Sequence, residues 1–368
     1  MSDWKPQIVK VLSVVRHPDA DALDIVTVND YPVVVRRDEY KVGDLGCYIP
    51  IDSILPDDDR FYFLCPPKYE KYQEGGENKS RPAGPRYELG CIPEKYRIVK
   101  AKKIRGVYSQ GILIPCLDGF KENDCIVDAL KLKKWEEIEE ENIVEFNSSS
   151  KCKGCSESEP PPVGWSIPHY DVNGIRRYLS CLKDGEEVVL TEKLHGSNAA
   201  FVHDGARLWV KSRNLYKKMD KADMWWGVAI RHDLESRLKL APDIVLFGEV
   251  YGQIKGFRYD TELDAAGRPI PRVRFFDAWD VAAGRFLDVD DRLALLARLG
   301  LDPVPELYRG PWLGKEAMYP LAEGPTTLGG GRHVREGWVL ATVRERYEPI
   351  LQSRMKVKLV GEGYNLQK

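Results

Sequence analysis

Neither acid nor base is in excess in this chain. Its 55 Lys and Arg face 57 Asp and Glu, a net charge of −2. Any grip on nucleic acid must come from local patches, because no global basic field exists. Long hydrophobic runs are also missing. No stretch approaches a membrane span, and Met1-Ser2-Asp3-Trp4-Lys5-Pro6 has no apolar signal core. The expectation is a protein with no membrane attachment. Cysteine is sparse and scattered, at 47, 65, 91, 116, 125, 152, 155 and 181. A chain of 368 residues needs no disulfide framework, so a cytoplasmic or other reducing intracellular compartment is expected. Cys152 and Cys155 form a Cys-x-x-Cys pair, but the second pair of a four-ligand structural zinc site is missing. No internal repeat is visible, which argues against solenoids and propellers.

What is present divides in two. Residues 7–128 read as all-β. Strand-like runs occur at Ile8–Val15, Leu23–Val28, Tyr31–Val35, Cys47–Ile51 and Arg97–Lys102, separated by turn chemistry at His17-Pro18-Asp19, Asn29-Asp30, Val42-Gly43-Asp44 and Arg105-Gly106. This spacing suggests a small barrel. Within it, Glu74–Pro82 has no periodicity and reads as a mobile insertion. An acidic, then Ser-rich, then Pro-rich stretch around 132–162 reads as a linker. From Trp165 the pattern becomes mixed α and β. Val172–Leu182 can form a short helix, and Asp288–Leu299 another, ended by Gly300. Strands are expected at Ile244–Phe247, Arg272–Ala278, Gly337–Val343 and Met355–Val360. The expected organisation is residues 1–130, a linker over 131–164, and residues 165–368.

Lys193 is the residue with most chemical content. It ends the apolar run Val188-Val189-Leu190-Thr191-Glu192-Lys193, before the turn Leu194-His195-Gly196 and a second run at Ala199–Val202. An amine at a strand's end can serve as a covalent nucleophile if part of it is unprotonated. Five later segments accompany it: Ser212-Arg213-Asn214, Gly248-Glu249-Val250-Tyr251-Gly252, Phe275-Phe276-Asp277, Glu336-Gly337-Trp338-Val339-Leu340, and Lys356-Val357-Lys358. Each has a plain alternative when read alone: a solvated Arg, a turn Glu, core aromatics, a strand-edge carboxylate, a solvent-facing strand side.

Taken in order, Lys-x-His-Gly, Ser-Arg-Asn, Gly-Glu-x-x-Gly, Phe-Phe-Asp, Glu-Gly-x-x-Leu and Lys-x-Lys resemble the covalent nucleotidyltransferase superfamily of polynucleotide ligases and mRNA capping enzymes. His195, where DNA ligases and capping enzymes carry Asp, resembles RNA ligases of the nick-sealing and editing type. The resemblance implies roles by position. Lys193 resembles the adenylylated lysine, and Glu192 a residue that helps hold adenine. Asn198 and Arg213 resemble ribose or phosphate contacts, and Glu249 the ribose binder. Phe276 resembles the purine-stacking ring, with Phe275 its neighbour and rival. Glu336 resembles the carboxylate of a Mg²⁺ or Mn²⁺ site. Lys356 and Lys358 resemble the pair on the α-phosphate.

The leading domain is similar to tRNA-binding OB folds at Val14–Leu23, Val42-Gly43-Asp44 and Ala101–Leu113. There Lys100, Lys102, Lys103 and Arg105 would contact phosphates. Ten residues follow Lys358, so the trailing OB domain of DNA ligases and capping enzymes is not expected here. An OB domain in front resembles the Deinococcus-type RNA ligase family. This implies an α+β protein: an OB-type barrel, then an ATP-grasp-like nucleotidyltransferase domain of antiparallel sheets and helices. It implies an ATP-dependent, monomeric RNA repair enzyme that seals 3′-OH RNA to 5′-phosphate ends on an RNA or DNA template. A capping-type guanylyltransferase and a non-catalytic OB-based RNA-binding protein are the alternatives.

Overall fold

The structure, a computed structural model, describes residues 4–135, 158–162, 167–252, 259, 262–265, 267, 269–328 and 333–367. Two units are present, Asp3–Glu137 and Ile138–Gln367. Most of the expected linker, with Cys152 and Cys155, lies outside the described residues.

In the first unit, strict alternation sets the sheet. Strands β1 (Gln7–Arg16), β2 (Leu23–Val28), β3 (Tyr31–Arg36) and β4 (Leu45–Ile49) pair antiparallel, with β9 (Ile112–Pro115) on the far edge of β4. Val26 and Val28, Val33 and Val35, and Val9 and Val11 point inward to one core, with Tyr31 stacked on Tyr48 at 5.3 Å. The opposite face of β1 and β4 buries Ile8, Cys47 and Ile49 against Ile126 and Leu130. Each inward Val removes apolar surface worth about 1.5–3 kcal/mol. Arg105 and Gly106, both at positive φ, turn β7 (Lys102–Ile104) into β8 (Val107–Ser109). His17 ties that hairpin down: its Nδ1 accepts from the Asp19 N–H at 3.1 Å, so its Nε2–H donates to the Ile104 carbonyl at 3.0 Å. Lys100, Lys102, Lys103 and Arg105 are all exposed there.

The insertion expected to be mobile is an ordered ribbon. Strands β5 (Pro67–Glu74) and β6 (Glu77–Pro85) pair through a Gly75-Gly76 turn in which both φ are positive. No apolar alternation marks it, because no residue of either strand is buried. Its signal was the turn.

The second unit is built on two antiparallel sheets. One runs β12-β11-β13-β14 at its centre: β11 (Ser197–His203), β12 (Leu208–Ser212), β13 (Ile244–Tyr251) and β14 (Arg272–Asp280). The other runs β17-β16-β10-β15: β10 (Glu187–Lys193), β15 (Glu306–Pro311), β16 (Gly337–Thr342) and β17 (Lys356–Val360). Helices α1 (Met224–Arg231), α2 (Leu234–Leu238) and α3 (Val289–Leu299) cover one face of the first sheet, burying Phe201, Leu246, Phe275 and Leu296. Asp223 caps α1 through the Trp225 and Trp226 N–H groups, and Gly300 at φ 62° ends α3. The helix expected over Val172–Leu182 is absent. A short strand, Asn173–Gly174, leads into two 3-10 turns, Ile175–Arg177 and Leu179–Cys181. Asn173-Gly174 pairs parallel with β17, and that long-range bonding outweighs a weak local preference. Among the described residues, no helix is long and apolar enough to cross a membrane.

Candidate active site

Lys193 sits where the two sheets join. It is the last residue of β10 in one sheet, and Ser197, four positions later, opens β11 in the other. The turn is fixed twice: the Tyr259 hydroxyl oxygen accepts the His195 backbone N–H at 2.7 Å, and Tyr364 Oη meets His195 Nδ1 at 2.7 Å. Gly196 is required by close approach. A Cβ there would lie 2.6 Å from Glu249 Cγ and closer still to the Val250 carbonyl. The Gly196 N–H also donates to the Glu249 carboxylate.

Strand register gathers the lysines. Lys193 pairs with Gly337, Val339 with both Thr191 and Lys358, and Ala341 with both Val189 and Lys356. Side chains alternate, so Lys193, Lys356 and Lys358 share one face of their sheet. Glu192 faces the other way. Its carboxylate accepts from the Thr326 hydroxyl at 2.5 Å, the Thr327 N–H at 2.9 Å and the Thr327 hydroxyl, with Arg335 Nε at 3.8 Å.

On the helix-free face of the first sheet, Asn198 lies directly opposite Glu249. The Asn198 carbonyl accepts from Trp225 Nε1 at 3.1 Å, which anchors this strand to α1. A bulge in β13–β14 decides between the two phenylalanines. Phe247 pairs with Asp277 and Gly248 with Phe275, leaving Phe276 as the extra residue. The bulge turns Phe276 toward the Lys356 side, half-buried beside Tyr170 at 4.9 Å, while Phe275 packs under the helices against Phe201.

Charges pair across the gap. Lys193 Nζ meets Glu336 Oε1 at 2.6 Å. Burial alone would lower the pKa of this amine, but Glu336 and then Glu249 outweigh it and hold the amine above its ordinary value. An amine depressed by neighbouring cations is therefore not what the structure shows: its nearest charges are carboxylates. Burial pushes the Glu249 carboxyl up to about 8; Lys193 pulls it back and Glu336 pushes it further. Arg213 stands nearby, 3.7 Å from Asp171 and 40% exposed. Glu336 and Glu249 beside one ammonium form an oxygen donor set that fits a hard divalent cation keeping much of its water, and such a cation would favour the ionised form of both carboxyls. Among the described residues no group of three or more His, Cys, Asp or Glu could hold a metal; Glu336 and Glu249 are the carboxyls that face the Lys193 amine.

Lys356 is held differently. Its Nζ lies 2.7 Å from Asp277 Oδ2 and 3.4 Å from the Phe276 carbonyl. Asp277 is fully buried and also meets Arg354 at 2.6 Å, Arg292 at 3.6 Å and the Tyr170 hydroxyl at 2.7 Å. Burial would raise the Asp277 pKa, but Arg354, Lys356 and Arg292 hold it well below the usual carboxylate range. Burial, helped by Arg354 and Arg292 and opposed by Asp277, lowers Lys356 to about 8. A cavity of about 280 Å³ borders this cluster, lined by Tyr170, Asp171, Phe286, Ser353, Arg354 and Lys356 among others. Sequence reasoning had assigned no role to Asp277, Arg354, Arg292 or Tyr170. One signal was available: the alternation that pairs Lys356 with Lys358 extends back to Arg354.

Residues 186–358 match the RNA ligase family model, and residues 6–80 match an OB-fold domain model. No curated protein matches the chain. Among solved structures it is similar to Naegleria gruberi RNA ligase, in a point mutant with ATP and Mn (TM-score 0.73, 20% identity, 98% of this chain and 97% of that one). It is similar to the same ligase with PPi (TM-score 0.73, 20% identity, 97% and 96% covered) and to another mutant with AMP and Mn (TM-score 0.73, 20% identity, 98% and 97% covered). That likeness covers both units and establishes the fold. Over residues 186–358 the chain is thus similar to the RNA ligase family, and over residues 6–80 to an OB-fold domain.

Proposed function

We propose that this protein is an ATP-dependent RNA ligase that seals 3′-OH RNA to 5′-phosphate ends at nicks, in the manner of the Deinococcus-type enzymes. The observation that carries the reading is Lys193 at the junction of the two sheets, bonded to Glu336 at 2.6 Å and facing Glu249. Lys193 Nζ, once it has lost a proton, attacks the α-phosphorus of ATP. An N–P bond forms and the P–O bond to pyrophosphate breaks. The AMP then passes to an RNA 5′-phosphate, and the RNA 3′-OH attacks that phosphorus and expels AMP. A divalent cation at Glu336 and Glu249 would supply positive charge that competes with the Lys193 ammonium for the same carboxylates. Lys356 and Lys358 share the Lys193 face and would offset charge on the α-phosphate. Phe276, the extra residue of its bulge, would stack on adenine, and Asn198, Arg213 and Glu249 would meet ribose and phosphate. Glu192, whose carboxylate is occupied by Thr326 and Thr327, supports adenine binding by fixing the strand end. The solved complexes of the Naegleria ligase with ATP, AMP and Mn support the choice of nucleotide and metal.

Incubation with labelled ATP and Mg²⁺ or Mn²⁺ should label the protein, and Lys193→Ala should not be labelled. A wild-type protein that stays unlabelled across metals would sink the proposal. Sealing of nicked duplexes with ribose or deoxyribose on either side of the break then tests the nick-sealing assignment.

A further inference from the structure

The β5–β6 ribbon has no structural role that its residues account for. Neither strand buries a residue, and ordering a chain costs about 1–2 kcal/mol per residue. A lone two-stranded hairpin is marginal in water. Its two faces are chemically unlike. Residues directly opposite share a face. On one face Glu70 stands opposite Arg81, Tyr72 opposite Lys79, and Glu74 opposite Glu77. This face satisfies itself: Lys79 bonds Glu74 at 3.1 Å, Arg81 approaches Glu70 at 4.0 Å, and the Arg81 guanidinium lies 5.4 Å from the Tyr72 ring. The other face pairs Tyr69 with Pro82, Lys71 with Ser80 and Gln73 with Asn78. It carries no carboxylate, one ammonium, a 60% exposed tyrosine and three uncharged hydrogen-bonding side chains.

We propose that this carboxylate-free face docks duplex RNA along its sugar–phosphate backbone. The inference rests on the reading of the chain as an RNA-sealing enzyme. A two-stranded ribbon is narrow enough to lie along a nucleic-acid groove. Duplex RNA offers a wide, shallow minor groove lined with 2′-hydroxyls and flanked by phosphates. Lys71 would meet a phosphate, Gln73, Asn78 and Ser80 would reach 2′-hydroxyls, and Tyr69 would pack on the sugar edge. Glutamates on the opposite face would repel the same backbone, so the ribbon binds by one side.

The base of the ribbon makes the test clean. The Arg86 N–H donates to the Pro66 carbonyl at 2.8 Å, and the Tyr62 hydroxyl to the Tyr87 carbonyl at 2.6 Å. Residues 67–85 can therefore be replaced in the full chain by a short Gly-Ser turn without opening a core. Three quantities are measured: lysyl-AMP formation, which needs no RNA, the melting temperature, and the Kd for a nicked RNA duplex by fluorescence anisotropy at several salt concentrations. The ribbon-less protein should form lysyl-AMP at the wild-type rate, keep its melting temperature within a few degrees and bind the duplex at least tenfold more weakly. Lys71→Glu should weaken binding about fivefold or more, and Lys79→Glu, on the other face, less than twofold. Duplex affinity within twofold of wild type in the ribbon-less protein would overturn the proposal, as would equal losses from Lys71→Glu and Lys79→Glu. If wild type neither forms lysyl-AMP nor binds RNA, the functional reading itself has failed. If it does both and the ribbon is dispensable, the ribbon proposal fails alone.

Discussion

Gly196→Ala should cripple the first chemical step while leaving the fold largely intact. The added Cβ would lie 2.6 Å from Glu249 Cγ and 3.0 Å from Glu249 Oε1. Non-bonded carbons rest about 3.5–4.0 Å apart, so one side must retreat by about 1 Å. The Val250 carbonyl, closer still, blocks the methyl from the backbone side. Either Glu249 leaves its place or the turn that carries Lys193 moves. A displacement of about 1 Å at a reacting group costs on the order of 100-fold in rate. Overpacking of this kind costs about 1–3 kcal/mol of stability, a fall of several degrees in a unit of this size. Single-turnover formation of lysyl-AMP, followed on denaturing gels with labelled ATP, is the assay. Gly205→Ala is the control. It lies at φ +92° in the β11–β12 turn with nothing within 4 Å of its would-be Cβ, so it should lose stability and keep its rate. A Gly196→Ala protein that forms lysyl-AMP within threefold of wild type would refute the reasoning.

Further expectations follow from the same geometry. Asp277→Asn removes the carboxylate shared by Arg354, Lys356 and Arg292, and should cost about 3–5 kcal/mol, read as a lower midpoint in denaturant titration. The Asp277 pKa is depressed in the fold, so its stabilisation is complete above the unfolded value of about 3.9 and is lost as pH falls below it; the wild type should lose stability below about pH 4 more steeply than Asp277→Asn. Lys356, lowered to about 8, sheds its proton as pH rises past that value, so lysyl-AMP formation should decline on the alkaline side. Lys356→Arg, which stays charged, should move that decline upward by more than one pH unit, and an unmoved limb would assign it to another group. Phe276→Ala should weaken ATP binding by about 1–3 kcal/mol, the worth of one stacking contact. Phe276→Trp should restore it, as measured by calorimetry on a Lys193→Ala background.

Much of the site was legible because strands write their faces in every second residue. The run ending at Lys193 and the Lys356/Lys358 pair form strands as expected, while Glu249, expected at a strand's end, lies inside a strand that runs on to Tyr251. Alternation names a face but not what stands across from it. The Lys193–Glu336 pair spans 143 positions, and the Lys356–Asp277 pair 79; both depend on sheet order and on two sheets facing each other. The same gap hid the carboxylate environment of Lys193. Phe276 became distinguishable from Phe275 only through a bulge, which is a property of the pairing and not of β14 alone. The ribbon at 67–85 was missed for the opposite reason: a hairpin that buries nothing writes no hydrophobic period.

The three-residue turn after Lys193 also sets that amine at the joint of the two sheets. The two sheets are joined in sequence at Leu194-His195-Gly196, and the tyrosines at 259 and 364 clamp that joint. Lys358 lies two strands from Thr191 across β16, about 10 Å away at ordinary strand spacing. A rocking motion of roughly 6° between the sheets would then carry Lys358 by about 1 Å, the scale on which positioning matters, while Lys193 hardly stirs. On the proposed function, the far edge of the sheet would admit the nucleotide and grip its phosphate, with the Asp277–Lys356 pair as the latch and the amine as the fixed point.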